Sequence, residues 1–255
     1  MFYGCTSLTK TPTLPATTLA RYCYSDMFRE CKGITTAPAL PATTLNEDCY
    51  DGMFRDCTSL TVAPALPATT LASACYTHMF FGCSSLTTAP ALHATALTPH
   101  CYSAMFQGCT SLTTAPRLPA TALNDNCYAQ MFDGCTSLTT APKLPATTLY
   151  KHCYDRMFYD CTNLTAIPAL PATTLTDYCY DRMFKGCKSL KLSTKSITGH
   201  LAPIKYKLPY RIPTTGNGTT ATFSMVSMFL ETGGLFHGTP DINTTYYLSQ
   251  NNTIV

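Results

Sequence analysis

The sequence predicts an α/β solenoid of about eight 26-residue coils, each with a short strand or extended segment and a short helix, followed by a β-rich C-terminal cap. Three observations predict this fold class: Met-Phe pairs recur every 26 residues, two series of cysteines keep the same period, and each unit contains the same prolines. A fixed period of this length is typical of coils that bury their apolar faces against neighbouring coils. The Met-Phe pairs begin at Met1, Met27, Met53, Met79, Met105, Met131, Met157 and Met183.

The first predicted element is a helix of about 11 residues in the stretch TTLxxxCYxxMFxxC. Its apolar residues recur at i, i+4 and i+8, as Leu19, Cys23 and Met27 do in the first unit. A threonine at position 17 or 18 is a natural N-cap, and a glycine such as Gly82 suits the C-cap. We therefore expect one face of this helix to point into the core.

The second predicted element is the extended segment SLTTAPALPA. Its prolines cannot donate to a sheet ladder, and they stand at positions such as Pro12, Pro38 and Pro64. We therefore expect a ladder of about three residues that ends before the proline, followed by polyproline-like chain.

The period breaks after Leu190, which predicts two domains: a solenoid over residues 1–194 and a C-terminal cap over 195–255. Within the cap, Met228 and Phe229 repeat the Met-Phe pair, Thr232 takes the cysteine position and Leu235 the leucine position. We read this stretch as a degenerate ninth repeat that covers the last core layer.

The two cysteine series allow four interpretations: a zinc site, a disulfide framework, a catalytic thiol or a buried ladder. The C-x7-C spacing corresponds to about 12 Å along a helix, too far for two ligands of one ion or for a disulfide. Catalysis needs one activated thiol beside a base, whereas these thiols repeat identically. We therefore expect free, buried cysteines that belong to the core, with no metal site and no cofactor.

Tyrosine and threonine form further columns with the same period. The tyrosines, such as Tyr24 and Tyr50, either form a stripe that stacks on carbohydrate or protein, or pack between helices with their hydroxyls in water. We favour the second arrangement. Threonines at positions such as Thr9 and Thr17 resemble the arrays of ice-binding proteins, but stacked threonines also serve a structural role.

Variable positions on the extended segment are the candidate ligand face. A solenoid can place specificity at such positions on a constant scaffold, although neutral drift is also tolerated there. The candidate residues are Lys10, Thr36, Val62, Thr88, Thr114, Arg117, Thr140 and Lys143.

The N-terminal end is a candidate self-association face. The first unit is incomplete, so we expect Leu8, Leu14 and Leu19 to lie uncovered beside an unpaired strand edge. Such a face would be covered by residues upstream of Met1 or by a second copy, and a head-to-tail contact that does not close would build a filament.

The unit resembles the BspA-type leucine-rich repeat. The matching residues are Leu19, Cys23, Met27, Phe28, Cys31 and Ile34, and GCTSL at residues 4–8 is close to the wording of the family. The resemblance covers residues 1 to about 194 and implies a right-handed leucine-rich-repeat coil. The unit departs from the family in its length of 26 residues, against about 23, and in its methionine at a position that is usually alanine.

The expected function is non-enzymatic. The sequence shows no catalytic triad, phosphate-binding loop, dinucleotide fingerprint, nucleic-acid motif, visible signal peptide or apolar run long enough to insert into a membrane. The resemblance implies a binding or adhesion scaffold at the cell surface or in the extracellular environment of a bacterium or protist, with a protein or glycan partner. The alternatives are a fibre or filament subunit, including a phage tail-associated protein, and an ice-binding protein.

Overall fold

The chain winds into a stack of coils, each hydrogen-bonded to the next. In this computed structural model, which describes residues 1–212 and 221–255, backbone N–H groups donate to carbonyls 25 residues further along the chain. Tyr24 donates to Cys49 at 2.9 Å, for example, and Phe28 donates to Met53 at 2.9 Å. This regular pairing gives the repeat, solenoid-like fold that the 26-residue period predicts.

The predicted helix is wrong, because no α-helix occurs among the described residues. The stretch from 19 to 31 and its repeats instead form a chain of overlapping β-turns, which we call the turn ribbon. Alternate N–H groups close the turns, as Met27 does to Tyr24 at 3.2 Å, and the intervening N–H groups pair with the next coil. Every second turn has a left-handed residue at its third position, as at Tyr22, Asp26 and Glu30 with φ of 58°, 50° and 59°.

The turn ribbon repeats every four residues, and this explains why its pattern resembles a helix. Side chains at i, i+4 and i+8 lie on one face in both structures, so the apolar spacing does not distinguish them. The inward positions therefore agree with the prediction in the inner coils, where Cys49 and Met53 are both fully buried. Cys23, in the first coil, is exposed, and Leu45 is only half-buried.

The remaining half of each coil, residues 6–18 and their repeats, is the proline-rich segment. It is extended but pairs with its neighbours through single parallel bridges, such as Thr18 with Thr44 and Thr36 with Val62. The predicted ladder of three residues is therefore too long in most coils. The prolines interrupt the pairing because they have no N–H to donate.

Among the described residues, strands of two or more residues occur only in the last coils and the C-terminal part. β1 (Ala166–Ile167) pairs in parallel with β5 (Thr253–Ile254). β2 (Leu192–Ser193), β4 (Thr245–Ser249) and β3 (Tyr206–Arg211) form an antiparallel sheet in that order. The C-terminal strands thus attach directly to the stack.

Residues 222–230 stack on the turn ribbon of residues 175–187. The Phe184 N–H donates to the Met228 carbonyl at 3.0 Å, and the Phe184 and Phe229 rings lie 5.6 Å apart. Thr232, 5% exposed, donates its hydroxyl to the Phe229 carbonyl at 2.9 Å. Leu235 is 65% exposed, so its expected place in the leucine column is wrong, and its N–H bonds to the Leu192 carbonyl instead. The division of the chain at residue 194 stays a prediction.

Two columns of aromatic rings run through the core. Phenylalanines from Phe2 to Phe229 stack with centroids 5.5–5.8 Å apart and planes within 11° of parallel. Tyrosines from Tyr24 to Tyr180 form the second column with centroids 5.7–5.9 Å apart. Large stacked rings at a fixed spacing bury much apolar area and hold consecutive coils in register.

Candidate functional surface

The cysteines that end the turn ribbons hold neighbouring coils together. The Phe28 carbonyl accepts the Cys31 N–H at 3.0 Å and, from the next coil, the Cys57 thiol at 3.0 Å. The same arrangement recurs at Cys109, whose thiol donates to the Phe80 carbonyl at 3.1 Å. Both lone pairs of each carbonyl are therefore used. Burial raises the pKa of the Cys57 thiol to about 12, which makes it a poor nucleophile.

The structure favours the interpretation of the cysteines as core residues over a zinc site, a disulfide framework or a catalytic thiol. All 15 are free thiols, and 13 of them are buried. Cys5 and Cys23 are the exceptions, because the first coil covers them incompletely. Within residues 1–212 and 221–255, no three His, Cys, Asp or Glu side chains come together in a way that could hold a metal ion.

The tyrosine column is interior, so it offers no stacking stripe to a ligand. Tyrosines 50 to 180 in this column are 1% exposed, and only Tyr24 in the first coil is half-buried. The expectation that the hydroxyls reach water is wrong for Tyr50 and Tyr76, whose hydroxyls are buried without a hydrogen-bond partner. Burial raises the pKa of both phenols. These rings contribute packing and not recognition.

The turn ribbons carry a network of partly buried carboxylates in the later coils. Burial, with the Asp160 carboxylate nearby, raises the pKa of Asp133 to about 7, while Gln107 Nε2 donates to Asp133 Oδ2 at 3.0 Å. Asp155 and Asp181 occupy equivalent positions in consecutive coils, and burial raises the pKa of each. Asp181 is 2% exposed and accepts from the Arg182 guanidinium at 2.8 Å.

A histidine–carboxylate pair lies in the same network. His152 Nδ1 is 3.2 Å from Asp155 Oδ2, and the His152 ring stacks on Tyr178 with centroids 4.4 Å apart. Base catalysis through such a pair requires an accessible nucleophile, and the neighbouring Cys153 thiol is buried with its pKa raised by that burial. We assign the pair a role in joining coils.

The predicted ligand positions all lie on one exposed surface, the proline–threonine face, formed by the exposed side chains of the proline-rich segments. Five of them, Thr36, Val62, Thr88, Thr114 and Thr140, are the bridge residues of that segment, so their backbones are paired while their side chains stay exposed. The charged candidates are exposed as well, namely Lys10, Arg117 and Lys143.

The cap covers this face at its C-terminal end. The next residue of the bridge column, Ala166, is 6% exposed because Thr253 of β5 pairs beside it. The face therefore remains open from the first coil to the sixth. Its threonine hydroxyls are partly engaged, since Thr61 Oγ1 donates to the Thr35 carbonyl at 3.1 Å.

The acidic residues are segregated into one half of each coil. This pattern is visible in the sequence, but the sequence-based predictions did not use it. Every Asp and Glu up to residue 181 lies in a turn ribbon, and the proline-rich segments contain none. Up to residue 181, the only charged residues of those segments are the cations Lys10, Lys32, Arg117 and Lys143. The proline–threonine face is therefore neutral or positive along its length.

Shallow grooves run between consecutive proline-rich segments on this face. One of about 260 Å³ lies between Pro12 and Pro38, and one of about 290 Å³ between Pro64 and Pro90. A larger groove of about 530 Å³ contains both Arg117 and Lys143. Two of the three charged candidates, Arg117 and Lys143, thus line one groove.

The leucines of the predicted self-association face contribute little exposed area. The expectation that these leucines lie uncovered is wrong for Leu14 and Leu19, which are 8% and 4% exposed, while Leu8 is half-buried. The apolar exposure at this end comes instead from Met1 and Tyr3, which are 96% and 54% exposed. Head-to-tail association through the three leucines stays a prediction.

Among the described residues, no helix has the length and apolar character needed to cross a membrane.

Comparison with known families accounts for this architecture. The family model described as the BspA type leucine rich repeat region matches in six copies, over residues 1–113 and 100–207. Comparison with curated proteins and with solved structures gives no significant match. Proteins with these repeats are typically surface-associated and generally non-enzymatic. Because the matched ranges span well over half of its length, this chain belongs to the BspA-type leucine-rich repeat family.

Proposed function

We propose that the chain is a non-enzymatic binding or adhesion scaffold, exposed to the extracellular environment, that recognises protein or glycan partners through the proline–threonine face. The observation that carries this proposal is the separation of roles within each coil. The inward residues repeat almost unchanged, whereas the exposed bridge column departs from threonine at Lys10 and Val62, and the neighbouring column departs from alanine or threonine at Arg117 and Lys143. A constant core that presents a variable, exposed row suits recognition.

The family supports the proposal, since proteins with these repeats are typically found at surfaces. The structure adds a reason to prefer the proline–threonine face over the turn ribbons. Most ribbon carboxylates already form a hydrogen bond or an ion pair with a neighbouring group. Asp133 accepts from Gln107, and Asp181 accepts from Arg182. Side chains that already satisfy one another have less to offer a partner.

The test is saturable binding by the purified chain to immobilised extracellular proteins and glycans, measured by surface plasmon resonance. A double variant, Val62→Glu with Thr88→Glu, places two negative charges on the proline–threonine face, which otherwise carries only positive ones. We expect it to weaken binding by about tenfold or more, since each disrupted contact costs about 1 kcal/mol. The matched control places two glutamates on the turn ribbons, as Tyr22→Glu with Tyr150→Glu, both at exposed tyrosines.

The control variant should bind as the wild type does. Equal loss in both double variants would assign recognition elsewhere and contradict the proposal. Elongated particles that form as protein concentration rises, with no saturable ligand, would favour the filament alternative.

A further inference from the structure

The larger groove on the proline–threonine face has the features of a specific subsite. Its lining is mostly apolar and includes Ala115, Pro116, Leu118 and Pro142, with Thr121 the only uncharged polar residue. Leu118 is 2% exposed and forms part of the floor, whereas Arg117 and Lys143 are exposed. The equivalent smaller grooves have threonine, alanine or His93 near these positions and no lysine or arginine.

The two cations stand at the same position of consecutive coils, since 26 residues separate them. Neighbouring strands lie about 4.8 Å apart, so like charges at equivalent positions repel each other. Neither Arg117 nor Lys143 forms an ion pair within the part of the chain that the structure describes. The proline-rich segments contain no carboxylate that could compensate them.

An anionic group bound between these two side chains would relieve that repulsion. The apolar groove floor indicates which chemical group of the ligand lies next to the anion. Arginine can form paired hydrogen bonds with a carboxylate, while lysine supplies a second charge. The proline rings of Pro116, Pro119 and Pro142 provide flat apolar surfaces of the kind that stack with aromatic side chains when proline-rich peptides are recognised. A sugar ring would require several polar side chains for its hydroxyls, and the lining offers only Thr121.

We propose that this groove binds a segment of a partner protein that places a carboxylate beside an aromatic side chain, with Arg117 and Lys143 holding the carboxylate and the proline floor holding the ring. This inference rests on the proposed function, because it assigns one ligand chemistry to one part of the proline–threonine face. The smaller grooves would accept apolar side chains without the charge.

The experiment uses two labelled probes and fluorescence anisotropy at physiological ionic strength. One probe is a random glutamate–tyrosine copolymer, and the other is polyglutamate of matched length. The purified chain should bind the copolymer about tenfold more tightly, because only the copolymer offers rings to the proline floor. Equal affinity for the two probes would show that charge alone drives binding and would overturn the proposal.

A matched pair of variants locates the site. Arg117→Ala with Lys143→Ala should weaken copolymer binding by about tenfold or more. Lys195→Ala with Lys207→Ala removes the same charge from exposed residues of the C-terminal part and should change it by less than about twofold. Thermal unfolding of each variant checks that the coils remain intact. Equal weakening by both pairs would overturn the proposal.

Heparin is the third probe and tests the polysaccharide alternative. If the Arg117 and Lys143 substitutions weaken heparin binding more than copolymer binding, the groove is a glycan site and the proposal is wrong. The outcomes also separate this inference from the broader function. If copolymer binding survives these substitutions while the Val62→Glu and Thr88→Glu variant loses its extracellular partner, the groove proposal fails and the binding scaffold stands.

Discussion

At the scale of single residues, the cysteines that end the turn ribbons combine three properties that few side chains share. They are small, they tolerate complete burial, and their thiol can donate weakly to a carbonyl that already accepts a backbone N–H. Cys83 and Cys109 illustrate the pairing, since the Phe80 carbonyl accepts the N–H of the first and the thiol of the second. The sequence predicted their burial, but this hydrogen bond depends on the coil spacing and could not be predicted from it.

Substituting Cys109 by alanine tests this role. Cys109→Ala leaves a small void in a fully buried position and removes one bond to the Phe80 carbonyl. We expect the free energy of unfolding to fall by about 1–3 kcal/mol, measured by urea denaturation. Thr114→Ala, on the exposed face of the same coil, should change it by less than about 0.5 kcal/mol. Equal effects would place the thiol outside the packed core.

Asp133 should make stability depend on pH in the direction opposite to a salt-bridged carboxylate. Its pKa rises from the ordinary value of 3.8 to about 7 because burial and the Asp160 carboxylate disfavour the charged form. The stabilising contribution of the protonated Asp133 side chain is therefore fully present below pH 3.8. It is lost as the pH rises towards 7 and the side chain ionises in its buried site.

Replacing Asp133 by asparagine should accordingly stabilise the protein in mild alkali and not in acid. Asp133→Asn keeps an acceptor for Gln107 and removes the buried charge. At about pH 8 we expect the free energy of unfolding to rise by about 1–2 kcal/mol, with no gain near pH 3.5, where both side chains are neutral. Asp125→Asn, at an exposed position, serves as the control. A gain that is independent of pH would contradict the assignment.

At the scale of elements, the apolar pattern predicts which residues face inward better than it predicts the backbone that turns them inward. Met53 and Cys49 are buried as expected because the ribbon and a helix share a near-fourfold spacing. The left-handed φ values at Gln130 and Arg156 carry no signal in residue type, since such residues rarely adopt this conformation. Glycine, aspartate, asparagine and histidine at other ribbon positions, such as Gly82, Asp26 and Asn126, are the types that favour it.

Gly108 provides the test of the ribbon geometry. Its φ is +73°, and a Cβ added there would meet Gly82 at 3.6 Å, an ordinary contact, so any destabilisation reports the backbone conformation and not a clash. Gly108→Ala should lower the free energy of unfolding by about 1 kcal/mol. Gly199→Ala, where a Cβ meets nothing within 4 Å and φ is not left-handed, should be neutral or slightly stabilising. Equal effects would argue against the turn ribbon.

At the scale of the whole molecule, each coil depends on the two beside it, so the ends decide how much of the stack stays ordered. The sequence predicted the candidate ligand positions as an exposed row and the C-terminal part as a cover. The sequence also shows that the proline-rich segments contain no acidic residue, but this becomes visible only when each repeat is divided into its turn ribbon and its proline-rich segment. The groove itself depends on the distance between proline-rich segments of consecutive coils, which no local pattern specifies.

Asn252 links the C-terminal part to the stack. It is 3% exposed, and its Oδ1 accepts from Lys191 N–H at 2.9 Å and from the Ser249 hydroxyl at 2.8 Å. Its Nδ2 donates to the Thr165 carbonyl at 3.2 Å and to the Ser189 carbonyl at 3.1 Å. One side chain thus joins two coils to β4, and its hydrogen-bonding capacity is filled.

Asn252→Ala should therefore loosen this end of the stack and leave the middle intact. Four polar groups, one buried at Ser249 and three partly buried, lose a hydrogen bond at once. We expect a cost of about 2–4 kcal/mol, measured by hydrogen exchange of the backbone amides. Protection should fall at Thr253, whose N–H bonds to Thr165, and at Ser249, whose N–H bonds to Lys191, while Phe106 in a central coil keeps its protection. Asn251→Ala changes the exposed neighbouring amide and should leave all three amides as they are. Uniform loss across the chain would mean that the coils unfold as one unit, and unchanged protection at Thr253 would show that β5 is held without Asn252.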